Sequence, residues 1–550
     1  MSDSTLGIAL AQFNPKVGDI PGNTRRIIEL IRRSRDELGC DLVMFPELAI
    51  CGYPPEDLLL RNDFIRACES ALTQVRQAAH GIAVLIGHPH RQEGLLYNAC
   101  SLMVEGDVTI TYHKRHLPNY RVFDEKRYFH PGQTPCVTRI AGQRVALSIC
   151  EDIWQNDVID EAAAAGATLV LNINASPYHM GKSREREELL LRHWRRCGVA
   201  IAYLNQVGGQ DELVFDGASI VVGRDGGLLR PAPQFRESLI RVGYELTGGR
   251  FLGPPDQEPL DPEEEVWQAL CLGVRDYAGK NGFSDVVLGL SGGIDSALTL
   301  TIAVDALGPE RATAVLMPSR HTAQMSIDDA LAQCRTLGVA HQLIPIEPMY
   351  TAFLEALATP FDALPPDATE ENIQARVRGT LLMAFSNKFG SLLLSTGNKS
   401  EMSVGYSTLY GDMAGGFAPL KDVSKLWVYR LARWRNGGDP VIPERVLTRP
   451  PSAELRPDQK DQDTLPPYEV LDPILRLYIE EDAPPEAIVA AGFDARTVAR
   501  VVRMVDRSEY KRRQAAPGVR ITERAFGRDR RYPITNGFDP VRGLAGNGST

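Results

Sequence analysis

The 550-residue sequence lacks the features typical of membrane, secreted and nucleic-acid-binding proteins. No apolar run approaches the ~18 residues of a membrane helix, and the amino terminus does not resemble a secretory signal. The nine cysteines include no Cys-x-x-Cys pair, which argues against a disulfide framework or a structural zinc site. Acidic residues outnumber basic ones by 70 to 60, so no overall positive charge favours nucleic acid or anionic membranes. We therefore expect a soluble cytoplasmic protein without nucleic-acid or membrane partners.

What the sequence does contain is enough apolar material for large cores, with 43% hydrophobic and 24% charged residues. Apolar strands alternate with amphipathic helices through both halves, which predicts an α/β protein. A stretch dense in Gly and Pro predicts a linker over residues 247–262, between a first domain over 1–246 and a second over 263–550. The predicted strands cover residues 6–13, 42–45, 82–87, 145–150, 168–173, 199–205, 285–290, 312–317 and 392–395. A hairpin is predicted over 218–230 and a long loop over 449–467.

The clearest motif is Ser291-Gly292-Gly293-Ile294-Asp295-Ser296, which lies between a predicted strand and an apolar helix. Glycines at such a turn let backbone N–H groups approach an anion, and the helix N-terminus adds a favourable dipole. A Walker A loop is excluded because its Lys-Ser/Thr ending is absent. An ordinary glycine-rich turn is the alternative. The two flanking serines and Asp295, which is placed to hold magnesium, favour a phosphate site.

This motif resembles the signature of the pyrophosphatase-loop family of ATP-dependent adenylating enzymes. Later strings, at residues 372–376, 395–401, 410–422, 510–514 and 526–531, are similar to those of NAD synthetases. The resemblance implies that ATP is bound by Gly289, Leu290, Ser291, Gly292, Gly293, Ile294, Asp295, Ser296 and Thr396. It implies that deamido-NAD, that is nicotinic acid adenine dinucleotide, is bound by Asn372, Glu401 and Lys511, and that Mg²⁺ is shared by Asp295 and Glu401. Further candidates for this pocket are Asp412, Lys421 and Asp422.

Each of these charged residues, taken alone, is more commonly a solvated surface charge. Their concentration in glycine-rich loops that follow strands favours the ligand-binding interpretation. In an open α/β sheet, ligands bind outside the carboxyl ends of the strands, where these loops lie.

A second group of candidates lies in the first half, where Cys150 ends a predicted strand. A thiol in this position is a nucleophile only if a base and a cation act on it, and a lone cysteine is more often structural. Glu47 follows another predicted strand, and Lys114 lies in a His-Lys-Arg-His string. Over residues 5–240 this arrangement resembles the nitrilase superfamily, in which Glu, Lys and Cys occur in this order.

The nitrilase resemblance implies a role for each residue. Glu47 would be the general base, Cys150 the nucleophile and Lys114 the group that stabilises the oxyanion, with Glu125 a secondary acidic residue. The residues implied to bind glutamine are Tyr120, Ser176 and Lys182. The remaining eight cysteines are interpreted as structural.

Together the two resemblances indicate a member of the glutamine-dependent NAD synthetase family. They imply an amino-terminal nitrilase-like glutaminase domain with α-β-β-α layers. They also imply a carboxy-terminal ATP-binding domain built on a doubly wound parallel sheet, adenine nucleotide hydrolase-like and Rossmann-like. The implied reaction amidates deamido-NAD to NAD with ammonia from glutamine, through an adenylated intermediate, and releases AMP, pyrophosphate and glutamate. A homo-oligomer and a protected path for ammonia are implied as well.

Two alternative functions remain open at this point. One is another glutamine-dependent adenylating amidotransferase that uses the same phosphate loop for a different acid. The other is a tRNA-modifying adenylating enzyme with a nitrilase-like interaction module, for which a basic face or cysteine pairs are expected. A degenerate binding protein is disfavoured because both sets of candidate residues are complete.

Overall fold

A computed structural model describes residues 5–362, 364–457, 459–542 and 544. The chain divides into two compact units, Met1–Pro262 and Glu263–Thr550. Among the described residues, no helix combines the length and apolar character needed to span a bilayer.

The first unit consists mainly of strands, with four α-helices among its described residues. Its strands are β1 (Thr5–Gln12), β2 (Leu42–Met44), β3 (Ala83–Gln92), β4 (Leu95–Val104), β5 (Asp107–His113), β6 (Val137–Ile140), β7 (Gln143–Ile149), β8 (Leu169–Asn174), β9 (Ala200–Asn205), β10 (Val207–Gln210), β11 (Leu213–Asp216), β12 (Ile220–Val222), β13 (Leu228–Leu229), β14 (Ser238–Glu245) and β15 (Phe251–Leu252). Its helices are α1 (Ile20–Asp36), α2 (Asn62–Ala78), α3 (Asn156–Ala164) and α4 (Lys182–Cys197). Short 3₁₀ helices cover Glu56–Leu60, Glu125–Arg127 and Cys150–Trp154.

Two large sheets form the centre of this unit. One has the order β15-β14-β1-β2-β3-β4-β5 and the other β13-β12-β9-β8-β7-β6. In each sheet the central strands are parallel, β1 to β3 in the first and β7 to β9 in the second, and the flanking strands are antiparallel. The parallel strands are almost fully buried, as expected for strands covered on both faces.

Successive side chains of a strand point to opposite faces of its sheet, so each sheet can pack on both sides, and the unit has four layers. Ile8 and Leu10 of β1 pack in one core with Leu147 of the second sheet, so the two sheets face each other. Ala9 and Ala11, on the opposite face of β1, pack with the apolar side chains of α1 and α2. On the outer face of the second sheet, side chains of β7, β8 and β9 pack with α3 and α4. The predicted α-β-β-α order is therefore observed.

The predicted strands of this unit are present with ends shifted by a few residues, and the hairpin appears as β12 paired with β13. The short strands β6, β10, β11 and β15 and the longer strands β4, β5 and β14 were not predicted, and the predicted third strand ends at Gly87 instead of Gln92. Strands β4, β5 and β14 are half exposed over part of their length, so their apolar pattern is weaker than that of the parallel strands.

The second unit is a parallel sheet surrounded by helices. Its strands are β16 (Val286–Gly289), β17 (Ala312–Leu316), β18 (Ala340–Leu343) and β19 (Leu392–Leu394). Its helices are α5 (Pro262–Lys280), α6 (Ile294–Leu307), α7 (Gln324–Leu337), α8 (Glu347–Leu357), α9 (Ala368–Phe389), α10 (Lys399–Val404), α11 (Lys425–Arg435), α12 (Glu444–Thr448), α13 (Tyr468–Leu475), α14 (Pro485–Ala490), α15 (Ala495–Arg507) and α16 (Glu509–Arg512). A π-helical turn, Arg476–Glu480, continues α13.

The strand order β18-β17-β16-β19 determines where a ligand binds in this unit. The chain leaves β16 toward β17 on one side and later returns to pair β19 on the other, which creates a topological switch point between β16 and β19. Ligands of open parallel sheets bind outside the carboxyl ends of the strands at such a point. The phosphate motif follows β16, and the loop that carries Thr396 follows β19.

Helices cover both faces of this sheet. Val287, Val315 and Leu393 pack with α8 and α9 on one face, and α6 contacts β16 and β17. A separate helical core joins α13, α14 and α15 beyond the sheet. The predicted loop over 449–467 contains one short 3₁₀ turn, Asp461–Asp463, among its described residues, and Asp458 lies outside them. The prediction of an α/β protein with a doubly wound second sheet is confirmed.

Candidate active sites

The predicted base and cation of the first unit lie in direct contact. Glu47 follows β2 and Lys114 follows β5, and both side chains are fully buried. The Lys114 ammonium donates to Glu47 Oε1 at 2.6 Å and to Glu125 Oε1 at 2.9 Å. Cys150, which follows β7, is buried close enough for both Glu47 and Lys114 to act on its thiol.

The pKa values of this group follow from burial and from the neighbouring charges. Burial raises the pKa of the Cys150 thiol well above its usual value, Glu47 raises it further, and Lys114 opposes both. Burial alone would lower the pKa of Lys114, but Glu125 and Glu47 outweigh it and raise that pKa well above the usual range. Burial likewise raises the pKa of Glu125 to about 7, against the lowering effect of Lys114. The resting thiol is therefore neutral, and its activation requires an adjacent base.

The carboxylate of Glu47 is held at both oxygens. Asn98 Nδ2 donates to Oε1 at 2.7 Å, and the backbone N–H of Ala175 donates to Oε2 at 3.0 Å. Close packing fixes the backbone as well, because a Cβ at Gly87 would lie 2.7 Å from the Cα of Glu47. A base fixed in this way needs little reorganisation to accept a proton.

The backbone at Cys150 is strained, and one carboxylate supports it. Cys150 begins a 3₁₀ turn with φ of +42°, a conformation that costs energy in a residue with a side chain. The buried Asp152 carboxylate accepts from the N–H of Ile149, directly before the cysteine, at 3.0 Å. It also accepts from the N–H groups of Arg115 and His116, directly after the lysine, at 3.1 and 2.9 Å. Asp152 thus connects the two strand ends that carry the predicted nucleophile and cation.

The predicted glutamine-binding residues lie in the same region. The Tyr120 hydroxyl donates to Glu151 Oε2 at 2.9 Å, next to the cysteine, and the Lys182 ammonium lies 3.9 Å from the ring centre of Trp154 in the cysteine turn. Ser176 follows the residue whose N–H binds the predicted base. The structure therefore places Tyr120 and Lys182 against the turn that begins at Cys150, and Ser176 next to the residue that binds Glu47.

In the second unit the two serines of the motif close the phosphate loop. Ser296 Oγ accepts from the N–H of Ser291 at 3.2 Å and donates to the carbonyl of Gly293 at 3.0 Å, while the N–H of Gly293 donates to Ser291 Oγ at 3.1 Å. Gly292 has φ of +81°, and a Cβ there would lie 2.2 Å from the carbonyl oxygen of Ser326. Only glycine fits at position 292.

The two predicted magnesium ligands share one buried ammonium. Lys425 Nζ donates to Asp295 Oδ2 at 2.6 Å and to Glu401 Oε1 at 3.1 Å. Asn398 Nδ2 holds the other oxygen of Asp295 at 2.8 Å. Burial raises the pKa of Glu401 to about 8, although Lys425 lowers it. The contacts of the Lys425 ammonium show that a cation is held between these two carboxyl groups.

The donor set also fits magnesium, which takes oxygen ligands and uses one or two carboxylates together with phosphate oxygens and water. Within the described residues, no three His, Cys, Asp or Glu side chains gather closely enough to hold a metal alone. A metal bound here would therefore complete its coordination with water or with oxygens of a substrate.

The predicted deamido-NAD residues lie around the loop over residues 405–412. Asn372 Oδ1 accepts from the Thr408 hydroxyl at 2.7 Å, and Asp412 Oδ1 accepts from the Thr408 N–H at 2.7 Å. The Lys511 ammonium donates to two carbonyls of this loop, each at 2.7 Å. Burial lowers the pKa of Lys511, with Asp412 opposing the shift.

Asp422 has a different environment. Its carboxylate accepts from the N–H groups of Ile521 and Thr522 at 2.8 and 2.7 Å and pairs with Lys399 at 2.9 Å. It therefore ties the carboxy-terminal segment to the sheet. Thr396 and Lys421 are half-buried, and Thr396 lies in the loop that also carries Asn398.

Asp152, Asn398 and Lys425 were assigned no role from the sequence. Asn398 lies inside the string over residues 395–401, and Asp152 lies two residues after the predicted nucleophile, so the position of each in the sequence indicated the site. Lys425 begins α11 outside those strings. Only the fold brings it to Asp295.

Comparison with known proteins agrees with this division of the chain. The carbon-nitrogen hydrolase family matches residues 7–246, and the NAD synthase family matches residues 266–515. The glutamine-dependent NAD(+) synthetase of Xanthomonas campestris pv. campestris is 53% identical over 541 residues, which cover 97% of this chain and 98% of that protein. This chain belongs to the glutamine-dependent NAD(+) synthetase family. The predicted order of a nitrilase-like unit and an NAD synthetase unit is confirmed.

Other members of the glutamine-dependent NAD(+) synthetase family are similar over the same length. The enzyme of Acinetobacter baylyi is 50% identical over 536 residues, which cover 97% of this chain and 99% of that protein. A solved structure of the enzyme from Acinetobacter baumannii, in complex with adenosine diphosphate, is 46% identical with a TM-score of 0.80. That likeness covers 97% of this chain and 99% of the other.

Proposed function

We infer that this chain synthesises NAD from deamido-NAD, with ATP as the activating substrate and glutamine as the nitrogen donor. The observation that carries the inference is that one chain contains two separate sets of reactive residues. The first is the buried contact of Glu47 with Lys114 beside Cys150, and the second is the phosphate loop beside Asp295 and Glu401. Transfer of an amide nitrogen to an activated carboxylate uses both groups. Each alone would fit simpler reactions.

In the first unit, Glu47 accepts the proton of the Cys150 thiol, and the thiolate attacks the side-chain carbonyl carbon of glutamine. The Lys114 ammonium stabilises the negative oxygen of the tetrahedral intermediate. The C–N bond breaks, and ammonia leaves with the proton held by Glu47. Water then hydrolyses the thioester, which releases glutamate and restores the thiol.

Glutamine is selected by groups around the cysteine turn. We assign Tyr120, Ser176 and Lys182 to the amino-acid end of glutamine, since they surround the turn without occupying the acid–base group itself. Glu125 receives a supporting role, because it accepts from Lys114 and from the Tyr53 hydroxyl, at 2.9 Å each, and so fixes the lysine.

In the second unit, a carboxylate oxygen of deamido-NAD attacks the α-phosphorus of ATP, and pyrophosphate leaves. The phosphate loop and the N-terminus of α6 bind the departing pyrophosphate through backbone N–H groups. Thr396 contacts ATP from the neighbouring strand end, while Asn372 and Lys511 hold the dinucleotide. Ammonia then attacks the adenylated carbonyl carbon, and AMP leaves with formation of the amide.

Asp295 and Glu401 are proposed to hold Mg²⁺ together with the phosphate oxygens of ATP. The ion would neutralise the charge that develops on the pyrophosphate. Lys425 now neutralises both carboxylates, and it is placed to turn its ammonium toward the phosphates when they bind.

We also propose a cytoplasmic homo-oligomer. All nine cysteines lie in described parts of the chain and are free thiols, which fits a reducing compartment. Phe353 of α8 and Phe389 of α9 are 53% and 68% exposed, and the edge strand β18 is exposed along its length. Exposed aromatic side chains and an exposed edge strand are features that contact with a second copy of the chain would cover. Sedimentation analysis of the intact protein tests this, and a monomer at all concentrations would contradict it.

The deciding experiment measures NAD formation from deamido-NAD, ATP and Mg²⁺, with either glutamine or ammonium as the nitrogen source. We expect Cys150→Ala to lose glutamine-driven synthesis and to keep ammonium-driven synthesis. We expect Asp295→Asn to lose both while it still releases glutamate from glutamine. The pair separates the two chemical steps, and each variant controls for the folding of the other unit.

Two results would overturn parts of the proposal. If the parent makes no NAD from either nitrogen source, the dinucleotide assignment is wrong, and other carboxylated substrates become the candidates. If Cys150→Ala still uses glutamine, the nucleophile is misassigned. A glutamine-dependent amidotransferase acting on another acid would release AMP only when that acid is supplied.

A further inference from the structure

One arginine of the long loop after α12 reaches the phosphate loop. Arg449, the first residue after α12, donates through one guanidinium nitrogen to the carbonyl oxygen of Gly292. Its other terminal nitrogen donates to Ser326 Oγ at 2.8 Å. The two loops are 157 residues apart in sequence, so this contact exists only in the folded chain.

A carboxylate of the same loop completes the network. Glu454 Oε1 accepts from Ser326 Oγ at 2.6 Å, and Glu454 Oε2 accepts from the N–H of Ala323, at the start of α7, at 3.4 Å. Arg449 lies 3.9 Å from the same carboxylate. The long loop therefore holds both the phosphate loop and the first turn of α7.

The contact with Arg449 holds the carbonyl end of a peptide group that lies between two glycines. The peptide between Gly292 and Gly293 has no Cβ on either side, so it can flip more easily than any other in the loop. Its N–H donates to Ser291 Oγ, and its carbonyl accepts from Arg449. Both ends of the peptide are thus fixed in one orientation.

That orientation matters because the loop binds an anion. A carbonyl oxygen turned toward a phosphate would repel it, whereas a loop that directs N–H groups inward attracts it. The Arg449 guanidinium on the Gly292 carbonyl keeps this peptide in one orientation before ATP arrives, which lowers the cost of ordering the loop on binding.

We propose that Arg449 is a positioning residue for the pyrophosphate of ATP, acting through the Gly292 carbonyl and coupled to the long loop by Glu454. The inference rests on the proposed function, because it assumes that the loop grips the phosphates of ATP. Its consequence is that the state of the long loop sets the geometry of the phosphate loop.

The test compares Arg449→Met with Arg449→Lys, with ammonium as the nitrogen source. We expect Arg449→Met to lower kcat/KM for ATP by roughly tenfold to a hundredfold, in the range seen when a positioning contact is lost. The KM for deamido-NAD should stay within about twofold, since no contact to that pocket changes. Arg449→Lys keeps one charged donor and should recover a large part of the loss.

The matched control is Arg445→Met. Arg445 lies on α12, four residues before Arg449, and pairs with Asp329 of α7 at 2.7 Å. Its hydrogen bonds to described residues go to α7 and not to the phosphate loop. We expect this variant to keep the parent's KM for ATP within about twofold. An equal defect in Arg445→Met would mean that Arg449 only anchors the helix, and the proposal would fail.

Further outcomes separate this inference from the proposed function. If the parent makes NAD with ammonium and Arg449→Met does so with an unchanged KM for ATP, the positioning role is refuted and the proposed function stands. If Arg449→Met unfolds, Ser326→Ala decides, because it removes one partner of the network with the smallest change in volume. A parent-like KM for ATP in Ser326→Ala, together with no rescue by Arg449→Lys, would also overturn the proposal.

Discussion

The substitution Asp152→Asn tests how the first unit holds its reacting groups together. The carboxylate of Asp152 accepts four hydrogen bonds, from the N–H groups of Ile149, Arg115 and His116 and from the Tyr112 hydroxyl. The asparagine amide has one acceptor oxygen, so one backbone N–H at least must face its NH₂ group whichever way the amide turns.

The expected magnitude follows from that lost bond. A buried hydrogen bond to a charged group contributes about 1.5–3 kcal/mol, and the remaining bonds weaken because the acceptor is no longer charged. At about 1.4 kcal/mol per factor of ten, a loss of about 3 kcal/mol in the placement of Cys150 relative to Lys114 corresponds to a roughly hundredfold slower glutaminase. If the loss appears in folding instead, the first unit unfolds at a lower urea concentration.

The assay measures glutamate released from glutamine, with ammonium-driven NAD formation as an internal measure of active protein. Asp157→Asn is the matched control, because Asp157 contacts His116 at 3.0 Å and Arg115 at 3.6 Å but is half exposed. Exposed pairs contribute less than about 1 kcal/mol, so this control should stay within about fivefold of the parent. Parent-like glutamate release and stability in Asp152→Asn would refute the reasoning.

Three further predictions address other parts of the chain. Gly292→Ala places a Cβ 2.2 Å from the carbonyl oxygen of Ser326, so it should lower ammonium-driven NAD formation at least tenfold without changing glutamate release. A rate of NAD formation equal to the parent's would contradict this prediction. Burial raises the pKa of Glu125 to about 7, and only the ionised carboxylate binds the Lys114 ammonium strongly, so glutaminase activity should rise with pH through about 7. If the same inflection persists in Glu125→Gln, the assignment to Glu125 is wrong. Asp216→Asn leaves the buried guanidinium of Arg186 without the carboxylate that it contacts at 2.7 Å, so the free energy of unfolding of the first unit in urea should fall by about 3–5 kcal/mol. A fall below about 1 kcal/mol would disprove the prediction.

The sequence determined those features that depend on neighbouring residues. Continuous apolar runs predicted most of the parallel strands of both units, because a strand covered on both faces must be apolar along its whole length. The parallel strand β18 is exposed along its length and was not predicted. The phosphate motif was also predicted from neighbouring residues, because its serines and glycines form hydrogen bonds to one another within six residues. Glu47 and Cys150 were predicted at the ends of strands. Lys114 was identified only through the family resemblance, because β5 was not predicted, and the mutual contact of the three residues was not predicted either.

The tertiary structure decided which distant side chains share a site. Lys425 reaches Asp295 across 130 residues, and Arg449 reaches Gly292 across 157, because the strand order brings the ends of β16 and β19 together and the later helices fold over them. Asp422 was grouped with the substrate residues on its position in the chain, yet its carboxylate holds the carboxy-terminal segment. Local patterns in a sequence record periodicity and turn chemistry. The partner of a charged side chain depends on how the sheets and helices pack, and no local pattern encodes that packing.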